Sequence, residues 1–259
     1  MARQSSSREV KATFTEHLGE LRRRLIVVLI VLGIGMVIGM YAAGPLIEYL
    51  KQTEPAKDIE WNVFSPWDSL RIYMNVSIFV AIVITLPAAL YELWAFVKPA
   101  LREEERRVSV MYVPFAVLLA LAGAAFGYFV LFPLVFRFTS FLSDRMGLVE
   151  TYGAAQYFTF MFNIVVPVAF VFELPLIMMF LTKLRIMTPK VMHRWRKYAY
   201  FFMFVISAVI TPSPDMLSAI LLSIPLFLLY EFSVMLSRNI YRKQQEADRR
   251  LEQMLSEPY

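Results

Sequence analysis

Long apolar stretches alternate with short charged clusters along this chain. Six stretches contain at most one charged residue each, and the other charges gather between them. A helix needs about 20 apolar residues to cross a hydrocarbon core of about 30 Å. We therefore predict an all-α, polytopic membrane protein with six transmembrane helices, with spans at about 25–43, 72–96, 108–132, 155–182, 198–211 and 216–237.

The segments outside the spans are short. Residues 1–24 form a charged N-terminal tail, and residues 238–259 form a charged C-terminal tail. Leu18 and Leu21 of the first tail and Leu25 at the start of span one repeat at i, i+3 and i+7. This spacing predicts an amphipathic helix at the membrane interface that leads into span one. The whole chain, 1–259, is therefore expected to be a single integral membrane domain.

Span five is unusually short. Its apolar part runs from Tyr198 to Ile210. Thirteen residues of helix measure about 20 Å at 1.5 Å per residue, which is less than the hydrocarbon core. Local thinning of the bilayer around this span is the hypothesis that accommodates it.

The distribution of cations predicts the orientation of the chain. Of the 26 Lys and Arg residues, 21 lie in the two tails and in the loops after spans two and four. Because Lys and Arg in short loops remain on the cytoplasmic side, both termini are expected to be cytoplasmic, in the cell membrane. Charged residues make up only 18% of the chain, against about 25% in soluble proteins. The net charge of +5 needs no nucleic-acid partner, because the excess of Lys and Arg in the cytoplasmic segments already explains it.

Motifs of catalysis and metal binding are absent from the sequence. The chain has no P-loop, no H-E-x-x-H zinc motif and no G-x-S-x-G nucleophile elbow. It has no cysteine, and His17 and His193 both fall outside the predicted spans. We therefore expect no enzyme activity, no metal site and no cofactor.

Glu173 is a carboxylate within a predicted span. A charged residue at membrane depth costs about 2.5–3.5 kcal/mol on insertion scales and usually faces the interior of a helix bundle. Glu173 could join two helices of the chain, dock a polar residue of a partner helix, or relay protons. Glu92 and Glu231 lie nearer the cytoplasmic ends of their spans, and a structural role is favoured for both.

Acidic residues also occur among the cytoplasmic arginines. Glu20 with Arg24 and Glu103 with Arg107 have the i, i+4 spacing of local ion pairs. Glu105 has no basic residue at i+4. A pair of carboxylates on one surface would alternatively suit a ligand that carries two arginines, because guanidinium binds carboxylate bidentately.

Six short motifs, in order from residue 17 to residue 231, resemble the TatC family, whose members are core receptors of the twin-arginine protein translocase. The motifs are His17-Leu-Gly-Glu20-Leu-Arg22-Arg-Arg24; Tyr91-Glu-Leu-Trp94-Ala-Phe96-Val-Lys-Pro99-Ala-Leu101 with Glu105-Arg106-Arg107; Gly127-Tyr-Phe-Val-Leu-Phe-Pro133; Phe172-Glu173-Leu-Pro175; Thr211-Pro-Ser-Pro-Asp215; and Ile224-Pro225 through Tyr230-Glu231.

The resemblance implies a concave, glove-like bundle of six spans that binds signal peptides with a consecutive Arg pair. Glu20 and Glu105 match the family positions that contact this pair, and Arg22, Phe96 and Arg106 match neighbouring positions. Glu173 matches the intramembrane glutamate that contacts single-span TatA/TatB-type subunits. Pro45 and Asp215 match positions in the outside loops. Self-association and export driven by the proton-motive force, without ATP hydrolysis, are also implied.

Two functions of different classes can be compared. The first is a receptor and assembly platform for export of folded proteins that carry twin-arginine signal peptides. The alternative is an ion-coupled transporter of small solutes that uses Glu173 as its proton relay. Such transporters usually show internal repeats and several polar residues at the midplane. This chain shows neither, so the sequence favours the receptor.

Overall fold

The computed structural model describes residues 2–57, 59–97, 112–183, 185–210 and 216–256, and most of these residues are helical. A single isolated pairing, between Asn62 and Gly153, is the extended structure within them. The predicted all-α fold is therefore confirmed. The helices are α1 (Ala2–Gln52), α2 (Asp68–Val97), α3 (Tyr112–Phe126), α4 (Phe132–Arg145), α5 (Ala154–Val171), α6 (Leu174–Lys183), α7 (Pro189–Ile210) and α8 (Met216–Ser256).

Within the described residues, five helical stretches are long and apolar enough to cross a membrane. Three of the six predicted spans, 25–43, 72–96 and 155–182, fall within them, and the spans predicted at 108–132 and 216–237 overlap two of them. Span five overlaps α7, whose first half carries Lys190, Arg194, Arg196 and Lys197. The chain is thus a multi-pass membrane protein, while its orientation and its glove-like shape stay predictions. The five stretches are Gly19–Gln52, Asp68–Phe96, Val113–Arg145, Ala154–Lys183 and Ala219–Arg250.

Helix α1 extends beyond the predicted end of span one. A loop was expected to begin near Gly44, but the helix continues through Pro45 to Gln52. Pro45 thus lies within a helix rather than at the start of a loop, and its position outside the membrane stays a prediction. The residues Ala43, Leu46, Ile47 and Leu50 repeat at i, i+3, i+4 and i+7, and Ala43 and Leu50 are buried. Pro45 removes one backbone hydrogen bond from the helix. Ending the helix there would remove the burial of the apolar face that continues to Leu50.

Two compact units can be distinguished, and the first consists of Met1–Thr53 and Ser69–Val117. In this unit α1 packs against α2 through small residues. A Cβ added to Gly39 would lie 2.9 Å from the Cα of Ser77, and one added to Gly35 would lie 3.1 Å from the Cα of Ala81. The two backbones therefore approach each other more closely than larger side chains would permit.

The second unit consists of Glu54–Asp68 and Leu118–Tyr259. A π-helical turn, Gly127–Leu131, joins α3 to α4, and the N–H of Phe132 donates to the carbonyl of Gly127. Pro133 follows directly and has no N–H to continue an α-helical pattern, which explains why the helix widens here. Phe132 is fully buried and meets Tyr157 of α5 edge to face.

A segment before α2 is attached to the start of α5 within the second unit. The ring of Trp61 stacks on Phe158 at 5.7 Å, and the N–H of Ala154 donates to the carbonyl of Asn62 at 2.9 Å. The segment then enters α2 through a capping arrangement, in which Asp68 Oδ2 accepts the N–H of Ser65 at 3.0 Å. The stack and the backbone hydrogen bond fix the segment to the beginning of α5 without a longer sheet.

Candidate functional site

Glu20 belongs to a cluster of three charged side chains in the first unit. The guanidinium of Arg24 donates to Glu20 Oε1 with its Nη2 at 2.5 Å and with its Nε at 3.2 Å. Its Nη1 donates to Glu92 Oε2 at 2.9 Å. The i, i+4 pair expected for Glu20 and Arg24 is therefore present. Its extension to Glu92, which lies 68 residues further along the chain, links α1 to α2.

Glu20 is the most accessible member of this cluster. Its side chain is 37% exposed, whereas those of Arg24 and Glu92 are 22% and 19% exposed. Both hydrogen bonds from Arg24 reach Oε1 of Glu20, and within the described residues its Oε2 accepts none. A carboxylate oxygen accepts up to two hydrogen bonds. The cluster can therefore take a further cationic donor at Glu20 while Arg24 stays paired with Glu92.

The other residues predicted for this surface are only partly described. Arg22 is exposed on α1, and Phe96 is half-buried in the last turn of α2. Glu105 and Arg106 lie outside the described residues, as does Asp215 of the predicted outside turn. The structure thus brings together Glu20, Arg24 and Glu92.

Glu173 lies at the break between α5 and α6 in the second unit. Pro175 lacks the N–H that would bond to the carbonyl of Val171, so the helix is interrupted at Phe172 and Glu173. The N–H of Glu173 still bonds to the carbonyl of Phe170, and its carbonyl accepts the N–H of Ile177. Its side chain is only 6% exposed, and both carboxylate oxygens lack a hydrogen-bond partner within the described residues.

A buried carboxyl group with no partner is costly. Burial of a polar group without a hydrogen bond costs about 1–3 kcal/mol by protein mutational data, and a buried charge costs more. No helix of the described chain offsets this cost with a donor to Glu173. Within the described residues, Glu173 therefore does not link two helices by a side-chain hydrogen bond. A polar group from a partner could satisfy it.

A second charged cluster joins α7 to α8. Glu231 accepts hydrogen bonds from Arg196 and from the hydroxyl of Tyr200, and the hydroxyl of the adjacent Tyr230 donates to the carbonyl of Met192 at 3.0 Å. Glu231 was expected to be structural, and these contacts agree. The sequence analysis did not find the partners of Glu231. The i, i+4 spacing of Arg196 and Tyr200, which places both side chains on one face of the helix, could have indicated them.

No group of three or more His, Cys, Asp or Glu side chains among the described residues is arranged to hold a metal ion. The arrangement in both units instead suits recognition. An accessible carboxylate and a buried carboxyl group without a partner can each bind a group on another molecule, the first a cation and the second a hydrogen-bond donor.

Comparison with known proteins gives consistent matches over most of the chain. Residues 16–225 match the family model described as Sec-independent protein translocase protein (TatC). The TatC protein of Halalkalibacterium halodurans is 41% identical over 244 residues, which cover 94% of this chain and 94% of that protein. The TatC protein of Aquifex aeolicus is 36% identical over 235 residues, with 90% and 97% coverage.

Solved structures agree with these sequence matches. A crystal structure described as the twin arginine translocase receptor TatC superposes with a TM-score of 0.77 at 34% sequence identity. The match covers 86% of this chain and 99% of that chain. A second crystal structure of such a receptor, in DDM, gives a TM-score of 0.78 at 34% identity. The similarity therefore extends over nearly the full length of the solved proteins.

Proposed function

This chain belongs to the TatC family of Sec-independent protein translocase proteins, and on that premise we propose that it is the receptor and assembly platform of a twin-arginine translocase in the cell membrane. It binds the Arg-Arg signal peptides of folded proteins and gathers single-span TatA/TatB-type subunits for export driven by the proton-motive force. Both termini face the cytoplasm. The observation that carries the proposal is the accessible carboxylate of Glu20 beside a more buried Arg24–Glu92 pair.

The Arg pair of the signal peptide docks on Glu20 and Glu105. At Glu20, one arginine donates to the carboxylate while Arg24 keeps its 2.9 Å hydrogen bond to Glu92. Because Arg24 retains Glu92 as its anionic partner, binding of the peptide arginine to Glu20 leaves no buried charge unpaired. Arginine is required because its planar fork bonds both carboxylate oxygens, whereas lysine presents a single ammonium group. We assign Arg22, Phe96 and Arg106 to the same function because they match family positions next to those of Glu20 and Glu105.

Glu173 is the contact for a partner subunit. Its carboxyl group has no hydrogen-bond partner within the described residues. A side chain of a single-span helix that donates a hydrogen bond to Glu173 would therefore stabilise the complex. Hydrogen bonds between membrane helices contribute about 0.6 kcal/mol on average and up to about 1.7 kcal/mol. Glu173→Ala is therefore expected to leave insertion intact and to reduce co-purification of single-span subunits. Unchanged co-purification of these subunits with Glu173→Ala would contradict this role.

Binding of a fluorescent signal peptide to the purified chain tests the receptor function. The peptide with Arg-Arg is compared with the same peptide carrying Lys-Lys, on the chain and on Glu20→Gln. We expect Glu20→Gln and Lys-Lys each to weaken binding at least tenfold. The matched control is Glu48→Gln, because Glu48 is also an exposed glutamate of α1 with an i, i+4 partner, Gln52. Equal binding by Glu20→Gln and Glu48→Gln would refute the proposed docking site.

Solute uptake separates this function from the ion-coupled transporter with Glu173 as proton relay. Vesicles that contain the chain alone are expected to show no gradient-driven uptake of small solutes. Uptake that is lost in Glu173→Gln would instead support the transporter.

A further inference from the structure

Helix α7 has a fixed inward face. Arg196 and Tyr200 both bond to Glu231 of α8, and Met192 accepts the hydroxyl of Tyr230. Met192 and Met203 are buried in the same apolar cluster between these helices. Because these four positions repeat along one side of the helix, they fix its rotation about its own axis. The side chains on the opposite side must therefore point away from α8.

The outward face of α7 carries two parallel stripes. Lys190, Arg194 and Lys197 repeat at i, i+4 and i+7, and all three side chains are exposed. Beside them, Trp195, Tyr198 and Phe202 repeat at i, i+3 and i+7 and are 58%, 56% and 65% exposed. Exposed aromatic side chains of this kind gather at the interface between membrane and water. The cations on the adjacent stripe therefore lie at headgroup depth.

The three cations of this basic stripe have no acidic counterpart nearby on their helix. Pro189–Ile210 contains no Asp or Glu. Within the described residues, the ion pair of α7 is the one between Arg196 and Glu231, which lies on the inward face. The ammonium of Lys197 lies 5.0 Å from the centroid of the Tyr198 ring. Among the described residues, the positive charge of the stripe thus lies beside the aromatic side chains without an acidic partner.

The basic stripe is long enough to cross the layer of lipid headgroups. The Cα positions of Lys190 and Lys197 are about 10 Å apart along the axis, at 1.5 Å per residue. Headgroups occupy about 5–7 Å on each side of the hydrocarbon core. Lys and Arg stems can reach several ångströms along the helix toward the phosphates. Under the hypothesis of local thinning around the short apolar part of α7, the headgroups lie closer to these cations.

From these observations we propose that Lys190, Arg194 and Lys197 form a binding surface for the headgroup of an anionic phospholipid, with Trp195 and Tyr198 against its glycerol and upper acyl region. A zwitterionic headgroup carries its own cation, so it leaves the three charges of the stripe uncompensated. A net negative headgroup neutralises them. The anionic lipid thus holds helix α7, whose apolar part is short, at its depth in the bilayer. This inference rests on the membrane fold and not on the proposed receptor function.

Quenching of the fluorescence of Trp195 by brominated lipids tests this surface directly. The chain is placed in phosphatidylcholine nanodiscs with increasing fractions of brominated phosphatidylglycerol or brominated phosphatidylcholine. The signal of Trp195 is the difference between the chain and Trp195→Phe. We expect brominated phosphatidylglycerol to quench the fluorescence of Trp195 at a lipid fraction at least fivefold lower than brominated phosphatidylcholine requires. The reason is that each cation near an anionic surface contributes about a fivefold preference.

Charge variants separate a specific surface from net charge. Lys190→Gln/Arg194→Gln/Lys197→Gln is expected to abolish the preference, and the single variant Lys197→Gln is expected to reduce it about fivefold. Lys190→Arg/Arg194→Lys/Lys197→Arg should keep it. The matched control, Arg238→Gln/Lys243→Gln/Arg249→Gln, removes three exposed cations of α8 and should also keep it. Normal quenching by phosphatidylcholine in each variant shows that α7 is still inserted.

Three results would overturn the proposal. The first is equal quenching by the two lipids. The second is an equal loss of preference in the α8 control, which would assign the effect to net charge. The third is loss of the preference in potassium phosphate but not in potassium chloride of the same ionic strength. That result would show that the stripe takes free phosphate rather than a lipid headgroup.

Discussion

The contact between α1 and α2 at Gly39 gives a prediction that can be worked from distances. A Cβ added there would lie 2.9 Å from the Cα and 3.0 Å from the carbonyl carbon of Ser77, and closer still to its carbonyl oxygen. All three atoms belong to the backbone, so no side chain can rotate away. Gly39→Ala therefore requires α1 and α2 to move apart, although the substitution adds a single methyl group.

The expected cost can be isolated with a control on the same helix. A Cβ added to Gly33 meets no atom within 4 Å. Both substitutions gain the same helix propensity, about 0.5–1 kcal/mol in water. The difference between Gly39→Ala and Gly33→Ala therefore reports the overpacking alone, which typically costs about 1–3 kcal/mol. For a chain of this size that corresponds to roughly 2–12 °C in Tm.

The assay is thermal unfolding of the two variants in the same detergent, followed by the loss of the monodisperse peak in size-exclusion chromatography. We expect Gly39→Ala to lose this peak at a lower temperature than the unsubstituted chain, and Gly33→Ala to match or exceed it. If the two variants unfold at the same temperature, the close approach of α1 to α2 at Ser77 is wrong.

Three further predictions concern the second unit. Thr182 and Ser237 share a hydrogen bond of 2.5 Å, and both side chains are fully buried. A double-mutant cycle of Thr182→Val and Ser237→Ala should therefore give a coupling free energy of unfolding of about 0.6–1.7 kcal/mol. A coupling of zero would count against the bond. Arg196→Gln should lower the Tm more than Arg196→Gln/Glu231→Gln does, because only the single variant leaves a carboxylate without its cation; additive effects would contradict this. Trp61→Ala should expose the segment before α2 to proteolysis, because the stack on Phe158 is lost, and an unchanged digestion pattern would argue against that contact.

The positions of the membrane helices could be predicted because hydrophobic length depends on local sequence alone. Each long apolar stretch appears as a helix, and the short span five falls in a helix with a charged first half. The helix break at Glu173 follows from Pro175, which lies two residues later. The end of α1 was misjudged because Pro45 and Gly44 resemble a turn. The apolar spacing that continues to Leu50 outweighs that signal.

Contacts between distant residues could not be predicted in the same way. Arg24 had an obvious partner four residues away in Glu20, and nothing in the spacing indicates that Glu92 would share it. The cluster of Arg196, Tyr200 and Glu231 likewise depends on how α7 and α8 face each other. Pairing of this kind is decided by helix rotation and packing, which a single sequence does not encode locally. Glu20 and Glu173 could be singled out because a carboxylate among arginines and a carboxylate in a span are both unusual.

Site-specific photo-crosslinking next to Glu20 tests the central claim most directly. A photoreactive residue at Leu21, which is 45% exposed, leaves every charge of the cluster in place. A probe at Tyr49, 59% exposed near the other end of α1, is the control. The account predicts crosslinks from position 21 to a peptide with Arg-Arg that fade with Lys-Lys and with Glu20→Gln, and none from position 49. Equal crosslinking of the two peptides at position 21, or crosslinks that persist in Glu20→Gln, would contradict it.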